Sequence, residues 1–449
     1  MSAVSESTKG YILESCVINS TRFLDPRGLN IVGSVTDIEI FENLDSPYLT
    51  GQIAIVDSFR LYDRLDFQGA EYLSITIKDS ELPASIPIKK RFVIDSMITS
   101  RKANESSELI VLHFIEDTEF LSNLINVNSA HSGNALDIIS TISNQHLDKD
   151  IEYVGEESVQ LQKLKVIIPN MSPLQAMVWI KNRCATTYGL PYYLFSTLVG
   201  NKIVMTDMGT MLQATPINDI APFIYGAGQD FNEIDNSRRK FIPIKAYNIE
   251  NNDNLYNLIS AGLVGANYVF YDTMKGDYVE HSFDVLNDAL SQVGVKENER
   301  ITFADDFKFG DIELQKYQSK RMAQITQSGA YDDGSDRYKS LDQEQEAGYS
   351  KRIASRALQG FLRKSPITIT VNGRGFNQGD YHRTVGNIVR IIFLANKPNI
   401  EDVEIDLKKS GDYLIYASKH TMTVEKYEVH LQCVKITSYK DDSILRSIS

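Results

Sequence analysis

The chain has 449 residues, 42% of them hydrophobic and 10% aromatic, which supports a sizeable core, excludes a disordered protein and corresponds to about two to four domains. A formal net charge of −13 disfavours general nucleic-acid binding through phosphate contacts, and three scattered cysteines, Cys16, Cys184 and Cys433, fit neither a disulfide framework nor paired zinc-ligand spacing. The start "MSAVSESTKGYILES" lacks a basic segment ahead of a long apolar run, and no stretch nears about 18 continuous apolar residues, so neither a standard secretion signal nor a membrane span is expected.

The first 120 residues read as β. In "TDIEIFEN" Ile38 and Ile40 alternate with Asp37 and Glu39; in "YLSITIK" Leu73, Ile75 and Ile77 alternate with Ser74 and Thr76, the period of a half-buried strand. "RFVIDSMITS" and "ELIVLHFIED" follow on either side of the polar turn "RKANESS". Such a series forms a small barrel or sandwich.

The period then changes. "SGNALDIISTISNQH" spaces Leu136, Ile139 and Ile142 as a helix with Asn134 as its cap. In "MSPLQAMVWIKNRCATTYG" Ser172 caps a second helix and Pro173 suits its first turn. Leu174, Met177, Val178, Cys184 and Tyr188 share its face up to a stop at Gly189. "PYYLFS" and "NKIVMTDM" read as a hairpin. Tyr268–Tyr271 and Tyr278–His281 read as a strand pair around "TMKGD", and residues 282–293 as a short helix. Polar residues 328–348 fit a loop or exposed helix start, leading into "AGYSKRIASRALQGFLRK", where Ile353, Ala357, Leu358 and Phe361 form a helical stripe.

The glycine-rich stretch "VNGRGFNQGD" invites a phosphate-loop reading, but such a loop must lead from a strand into a helix N-terminus. Here "ITITV" precedes it, with Ile367, Ile369 and Val371 on one face, and "GNIVRIIF" follows with strand periodicity. Gly373, Gly375, Gly379 and Gly386 are therefore expected to serve turns between strands. The same stretch belongs to an internal echo. Gly69, "YLSITI", "FVIDSMITS", a charged turn and "LIVLHFIED" are followed much later by Gly386, "IVRIIF", "YLIYASKHT", a charged turn and "YEVHLQCVKI". A duplication would give one chain two similar small barrels.

Residues that carry chemistry are sparse. His113, His131, His146, His281, His382, His420 and His430 show no close ligand spacing, although His420 and His430 have the separation to face each other across a hairpin. "YDDGSDRYKSLDQE" lacks the order of a calcium loop and reads as a solvated linker. Asp305 and Asp306 are adjacent, so on a strand they point to opposite faces and cannot converge on a substrate. Arg238, Arg239 and Lys240 read as a solvated turn, and Cys184 as a packed thiol. No catalytic residue, metal or cofactor is expected. Trp179, Tyr192 and Tyr193 are candidate interface aromatics, with ordinary core packing as the alternative.

Three blocks, in this order, resemble the central baseplate hub proteins of contractile-tailed bacteriophages, relatives of the hub part of type VI secretion spikes. They are "VIIPNMSPLQAMVWIKNRCATTYGLPYYLFSTLVGNKIVMTDM", "AGLVGANYVFYDTMKGDYVEHSF", and the helix followed by "ITITVNGRGFNQGD…VGNIVRIIF…YLIYASKHTMTVEKYEVHLQCVKITSY". The resemblance implies a mainly β fold with α insertions (α+β): two tail-tube-like small β-barrels plus helix-bearing insertion domains. The expected units are residues 1–125 as the first barrel, 126–215 as a helix–hairpin insertion, 216–265 and 365–440 as a discontinuous second barrel, 266–364 as an insertion with an exposed linker and helix, and 441–449 as a tail.

It also implies a homotrimer whose six barrels form a pseudo-sixfold ring, joining the tail tube or tube-initiator proteins to a central spike and bordered by baseplate wedge proteins. DNA would pass through the lumen without specific binding, and the protein would assemble in the host cytoplasm into the virion baseplate without inserting into a membrane. The alternatives are a cell-wall or carbohydrate-directed enzyme or binding protein, and another tail-tube or baseplate component.

Overall fold

The computed structural model describes residues 10–20, 27–57, 67–80, 85–102, 107–155, 163–186, 188–226, 241–249, 255–272, 276–289, 308–318, 320–326, 341–362, 367–376, 384–394 and 405–436. Gly379, His382, Asp305, Asp306, the Arg238–Lys240 run, residues 290–293 and 328–340, and the tail 441–449 lie outside the described residues.

Seven strands open the chain: β1 Tyr11–Asn19, β2 Leu29–Asn30, β3 Val35–Asn43, β4 Thr50–Asp57, β5 Glu71–Asp79, β6 Ile88–Lys102 and β7 Glu108–Glu116. They lie in the order β3-β4-β7-β6-β5-β1-β2, antiparallel throughout. Strict alternation decides which face is covered: Gly51, Ile53 and Ile55 of β4 and Leu73, Ile75 and Ile77 of β5 are buried, while the residues between them are only partly so. Each such aliphatic side chain contributes about 1.5–3 kcal/mol by leaving water. Gly51 makes room for a ring. A Cβ there would overlap Phe114, which packs on Phe92 with centroids 4.5 Å apart. A short 3-10 turn, Val32–Ser34, touches both β1 and β4, so the sheet curls on itself, although among the described residues no ladder closes it.

The chain then builds α1 Asp117–Asn123, β8 Ala130–Asn134, α2 Ala135–His146, β9 Ile151–Val154, β10 Lys163–Ile167, α3 Pro173–Lys181, β11 Tyr192–Phe195, β12 Ile203–Asp207 and α4 Met208–Gln213. Asn134 caps α2 as its position predicts, its Oδ1 accepting from Asp137 N at 2.7 Å, an interaction worth about 1 kcal/mol. α3 departs from expectation at both ends. Ser172 occupies the cap position without a side-chain bond; Ser122 Oγ accepts from Leu174 N at 3.0 Å instead. The helix also stops at Lys181, leaving Tyr188 outside it and 63% exposed. Arg183 ends it, stacking 3.5 Å above the Trp179 ring and donating to the Trp179 carbonyl at 3.2 Å, which satisfies one of the helix's last acceptors. Ile138, Ile139 and Ile142 of α2 pack with Leu174, Met177 and Ile180 of α3 and with the β11–β12 hairpin in a core of their own, where β9 runs parallel to β12.

Three short strands follow, β13 Phe223–Tyr225, β14 Ile242–Pro243 and β15 Ala246–Ile249, then α5 Leu255–Ser260. β16 Gly265–Asp272 and β17 Asp277–Asp284 form the expected hairpin. β17 runs into a π-helical turn, Val285–Ala289, in place of the short helix expected from residue 282. β18 Lys308–Phe309, β19 Ile312–Glu313 and β20 Arg321–Thr326 come next, with β20 parallel to β16. Helix α6, Leu341–Leu362, buries Ile353, Ala357, Leu358 and Phe361, its predicted stripe.

The chain returns to the main sheet with β21 Ile367–Asn372, β22 Ile388–Phe393, β23 Gly411–Thr423 and β24 Tyr427–Lys435. Their order, β15-β21-β24-β23-β22-β13-β14, repeats the order of the first seven strands place for place. Details repeat as well. β6 carries a bulge at Asp95 and β23 one at Tyr416, and each bulge faces a positive-φ glycine that precedes the neighbouring strand, Gly69 (φ +80°) and Gly386 (φ +86°). The halves differ at one side: β13 and β14 run parallel to their neighbours, whereas β1 and β2 run antiparallel to theirs. An antiparallel joint of β23 with β3, from Ala417 opposite Asn43 to Thr423 opposite Asp37, fuses both halves into one sheet of fourteen strands. The fold is mainly β with helical insertions, the α+β class read from the sequence.

Candidate functional site

Among the described residues no group of three or more His, Cys, Asp or Glu is placed to hold a metal. No described helix is long and apolar enough to cross a membrane. His420 and His430 do not face each other. The hairpin register sets His430 opposite Lys419 and His420 opposite Val429, so the two rings lie on opposite faces of the sheet. Nδ1 of His430 meets Thr370 Oγ1 at 2.9 Å on one face, and Nδ1 of His420 meets the Tyr427 hydroxyl at 2.7 Å in the core on the other. All three cysteines are buried, and burial pushes the thiols of Cys16 and Cys184 up to about 12 and raises that of Cys433 as well.

The polar chemistry of the chain is concentrated instead at the joint of β3 with β23. Glu42, 2% exposed, accepts from Ser418 Oγ at 2.8 Å and from the Leu198 backbone N–H, and its Oε1 lies 3.4 Å from His420 Nε2. Burial pushes this carboxyl up, but His420, the Leu198 N–H and Ser418 together outweigh it and the net shift is downward. One carboxylate thus ties the first half, the second half and the loop between β11 and β12. Lys90 of β6 ties the first half to the same loop, its ammonium donating to the carbonyls of Thr197 at 2.9 Å and Gly200 at 2.6 Å while burial lowers its pKa. Glu116 at the end of β7 accepts from Leu49 N at 3.0 Å and Lys149 Nζ at 3.1 Å. Just past β3, Asp45 accepts from the hydroxyl of Tyr416, the bulge residue of β23.

Of these residues only His420 was singled out from the sequence, yet a signal for the others was present. Glu42 continues the inward phase of Ile38 and Ile40, and Lys90 lies between Ile88 and Phe92, so alternation alone puts both charges at core positions. His420, flanked in phase by Ser418 and Met422, follows the same rule.

On the opposite face of the joint lies a cavity of about 530 Å3, whose lining includes Phe41, Tyr48, Thr368, Lys419, His430 and Gln432. Lys419 is held by Glu39 at 2.9 Å, and the Thr370 hydroxyl lies 2.9 Å from His430 Nδ1. Of the glycines singled out from the sequence, Gly373, Gly375 and Gly386 sit nearby or at the strand ends. Gly373 N donates to Tyr427 O at 3.0 Å, and a Cβ on Gly373 would overlap the Tyr427 ring. Gly375 has φ +82°, and Gly386 N donates to Ile415 O at 3.0 Å across the bulge. Of the candidate interface aromatics, Tyr192 and Tyr193 are 5% and 0% exposed and belong to the chain's own core, because both faces of β11 are covered. Trp179 is partly buried beneath Arg183.

No protein-family model matches the chain, and no curated protein matches it in sequence. Solved structures do match its fold over nearly the whole length. A tail protein from Neisseria meningitidis is 13% identical, with 95% of this chain and 97% of that one aligned at a TM-score of 0.54. The 43 kDa tail protein of prophage MuSo2 from Shewanella oneidensis is 10% identical, with 94% and 98% aligned at a TM-score of 0.50. A third structure, an E. coli component of the type VI secretion system, is 8% identical over 91% of this chain and 76% of that one, at a TM-score of 0.41. The chain shares the fold of the two tail proteins.

Proposed function

We propose that the chain is a structural hub of a contractile phage baseplate: a homotrimer, pseudo-sixfold in outline, that joins the tail tube or its initiator proteins to a central spike, contacts wedge proteins at its rim and lets DNA through its lumen. The observation that carries this reading is the repetition of one seven-strand order twice on a single continuous sheet. Two like units per chain convert threefold into approximate sixfold symmetry, the match a trimer needs to seat a hexameric tube. We divide the chain accordingly. Residues 1–125 make the first unit, 216–265 with 365–440 the second, and 126–215 and 266–364 are insertions, ahead of a tail at 441–449. Gly373, Gly375, Gly379 and Gly386 serve the turns of the second unit.

The role requires no reaction, and the polar groups of the joint read as structural. Tripling −13 gives −39 for the trimer, and carboxylates facing the lumen would keep DNA from adhering. The place of action is the virion tail, after assembly in the host cytoplasm. Native mass across a concentration series, with electron-microscope class averages of the largest species, tests the proposal. Trimers averaging to a ring of six like units are expected; hexamers would replace the hub with a tube component. Hydrolysis of murein by the purified chain would replace it with a cell-wall enzyme.

A further inference from the structure

The cavity on the outer face of the joint has a sequence reason. Ala417 lies opposite Asn43 of β3 on one side and Gln432 of β24 on the other, and Gln432 in turn lies opposite Thr368 of β21. One small side chain therefore stands between two carboxamides. In the next row Lys419 lies opposite both Phe41 and His430. With Tyr48 from the turn after β3 these residues line a volume of about 530 Å3, within the range of about 300–1,000 Å3 usual for small-molecule sites. The matching place in the first half is closed by its own bonds. Ser96 stands there in the position of Ala417, with His113 and then Gln52 across the next strands. His113 Nδ1 lies 2.6 Å from Asp95 Oδ1, and Gln52 donates to Glu39. At the joint, by contrast, the Gln432 carboxamide and the Thr368 hydroxyl have no hydrogen-bond partner among the described residues. Asn43 Oδ1 accepts from Asp45 N at 2.9 Å, which leaves its Nδ2 as a donor.

We propose that this cavity binds a neutral sugar, an N-acetylhexosamine ring, with its acetamido group over Ala417. Charge sets the first limit. Lys419 is balanced by Glu39 at 2.9 Å, and burial together with Lys419 lowers the pKa of His430, so that its ring is neutral at pH 7. The lining therefore offers no unbalanced cation to a phosphate or a carboxylate. Geometry sets the second. Strands lie about 4.7–4.9 Å apart, so Asn43 and Gln432 stand about 10 Å apart at the backbone, with room between their side chains for one amide and a hydrogen bond at each end. The N–H and C=O of a trans amide point in opposite directions. Asn43 Nδ2 then donates to the acetamido oxygen and Gln432 Oε1 accepts from its N–H, while the Thr368 hydroxyl takes a ring hydroxyl and Phe41 and Tyr48 cover the apolar C–H face of the sugar. The site binds without cleaving. Glycoside hydrolysis uses two carboxyl groups flanking the bond, whereas the lining contributes one, Glu42, whose carboxylate is engaged by Ser418 at 2.8 Å. The inference goes beyond the hub proposal and does not rest on it.

The test is isothermal titration of the intact chain with chitotriose, a short polymer of N-acetylglucosamine, beside maltotriose, which lacks acetamido groups, and inorganic phosphate. The expected result is saturable binding of chitotriose at one site per chain, with maltotriose at least about fivefold weaker and phosphate unbound. Gln432→Leu, which removes one hydrogen bond, should weaken chitotriose about fivefold. Ala417→Leu, which fills the space between the carboxamides, should abolish binding, and His113→Leu, at the matching place of the first half, should leave it unchanged. If Ala417→Leu does not fold by circular dichroism, Gln432→Leu decides, because its side chain is only half-buried and bonds to no described group. No saturation by chitotriose, or saturation that the cavity variants leave intact, would overturn the site. Equal or tighter binding of maltotriose would overturn the acetamido contact, phosphate binding lost in Ala417→Leu would overturn the neutral ligand, and release of N-acetylglucosamine would overturn binding without cleavage. The readout is ligand binding rather than native mass, so the hub proposal stands or falls separately.

Discussion

Replacing Glu42 with alanine tests whether the joint between the halves is the stabilising centre that its geometry describes. The substitution removes the acceptor of two buried donors, Leu198 N–H and Ser418 Oγ, and the carboxylate oxygen 3.4 Å from His420 Nε2. A buried donor left without a partner costs about 1–3 kcal/mol. Two such donors give a loss of about 4 kcal/mol. With an unfolding entropy of about 2.1 cal/mol/K per residue, that loss lowers Tm by about 4 °C if the whole chain unfolds together. Glu42→Gln keeps the shape and an accepting oxygen and should lose about half as much. Glu39→Gln, which breaks the partly exposed Glu39–Lys419 pair on the other face, should lose under about 1 kcal/mol. Differential scanning fluorimetry on the three variants, with urea titration for the free energies, reads the order. The sign with pH follows from the downward shift of Glu42: its contribution is complete above the unfolded carboxyl's value of 4.5 and fades as pH falls through the lower folded one. Glu42→Ala losing no more than Glu39→Gln, or losing as much at acid pH as at neutral, would refute the reasoning.

Gly373→Ala forces a methyl into the Tyr427 ring and should destabilise by about 1–3 kcal/mol, read as a lower urea midpoint. Gly386→Ala combines φ +86° with a Cβ 2.9 Å from Phe195 Cζ and should cost at least about 1–2 kcal/mol, whereas Gly33→Ala, in open space, should leave Tm unchanged. With their thiols buried and shifted upward, Cys16, Cys184 and Cys433 should resist a thiol reagent at pH 8 in the folded protein and react after denaturation, as mass spectrometry would show.

What the sequence disclosed follows from the range over which each signal acts. Alternation in "TDIEIFEN" and "YLSITIK" is local, so both strands, the Asn134 cap and the stripe of α6 were legible, and the echo of strand series was legible because both halves carry the same alternation in the same order. The length of α3 was not. Cys184 faces the core from a turn rather than from a helix, and a periodic pattern does not distinguish the two. For Tyr192 and Tyr193 the sequence left interface and core both open, and the burial of both faces of β11 is a matter of tertiary context. His420 and His430 were placed together by spacing and separated by a one-residue register that only the hairpin geometry fixes. The joint itself was invisible, since β3 and β23 are far apart in sequence and nothing local in either names its partner.

That separation has a consequence for how the protein is made. Lys419 is added to the growing chain 380 residues after Glu39, the residue it holds across the joint. At ribosomal rates of about 5–20 residues per second, the edge of β3 waits roughly 20–80 seconds before its mate exists. An edge left open that long invites pairing with neighbouring nascent chains. Asp37, Glu39 and Glu42 place three negative charges along this strand, and like charges on approaching copies repel. The same carboxylates later find Lys419 and His420, so residues that secure the finished sheet also guard its unfinished edge during synthesis.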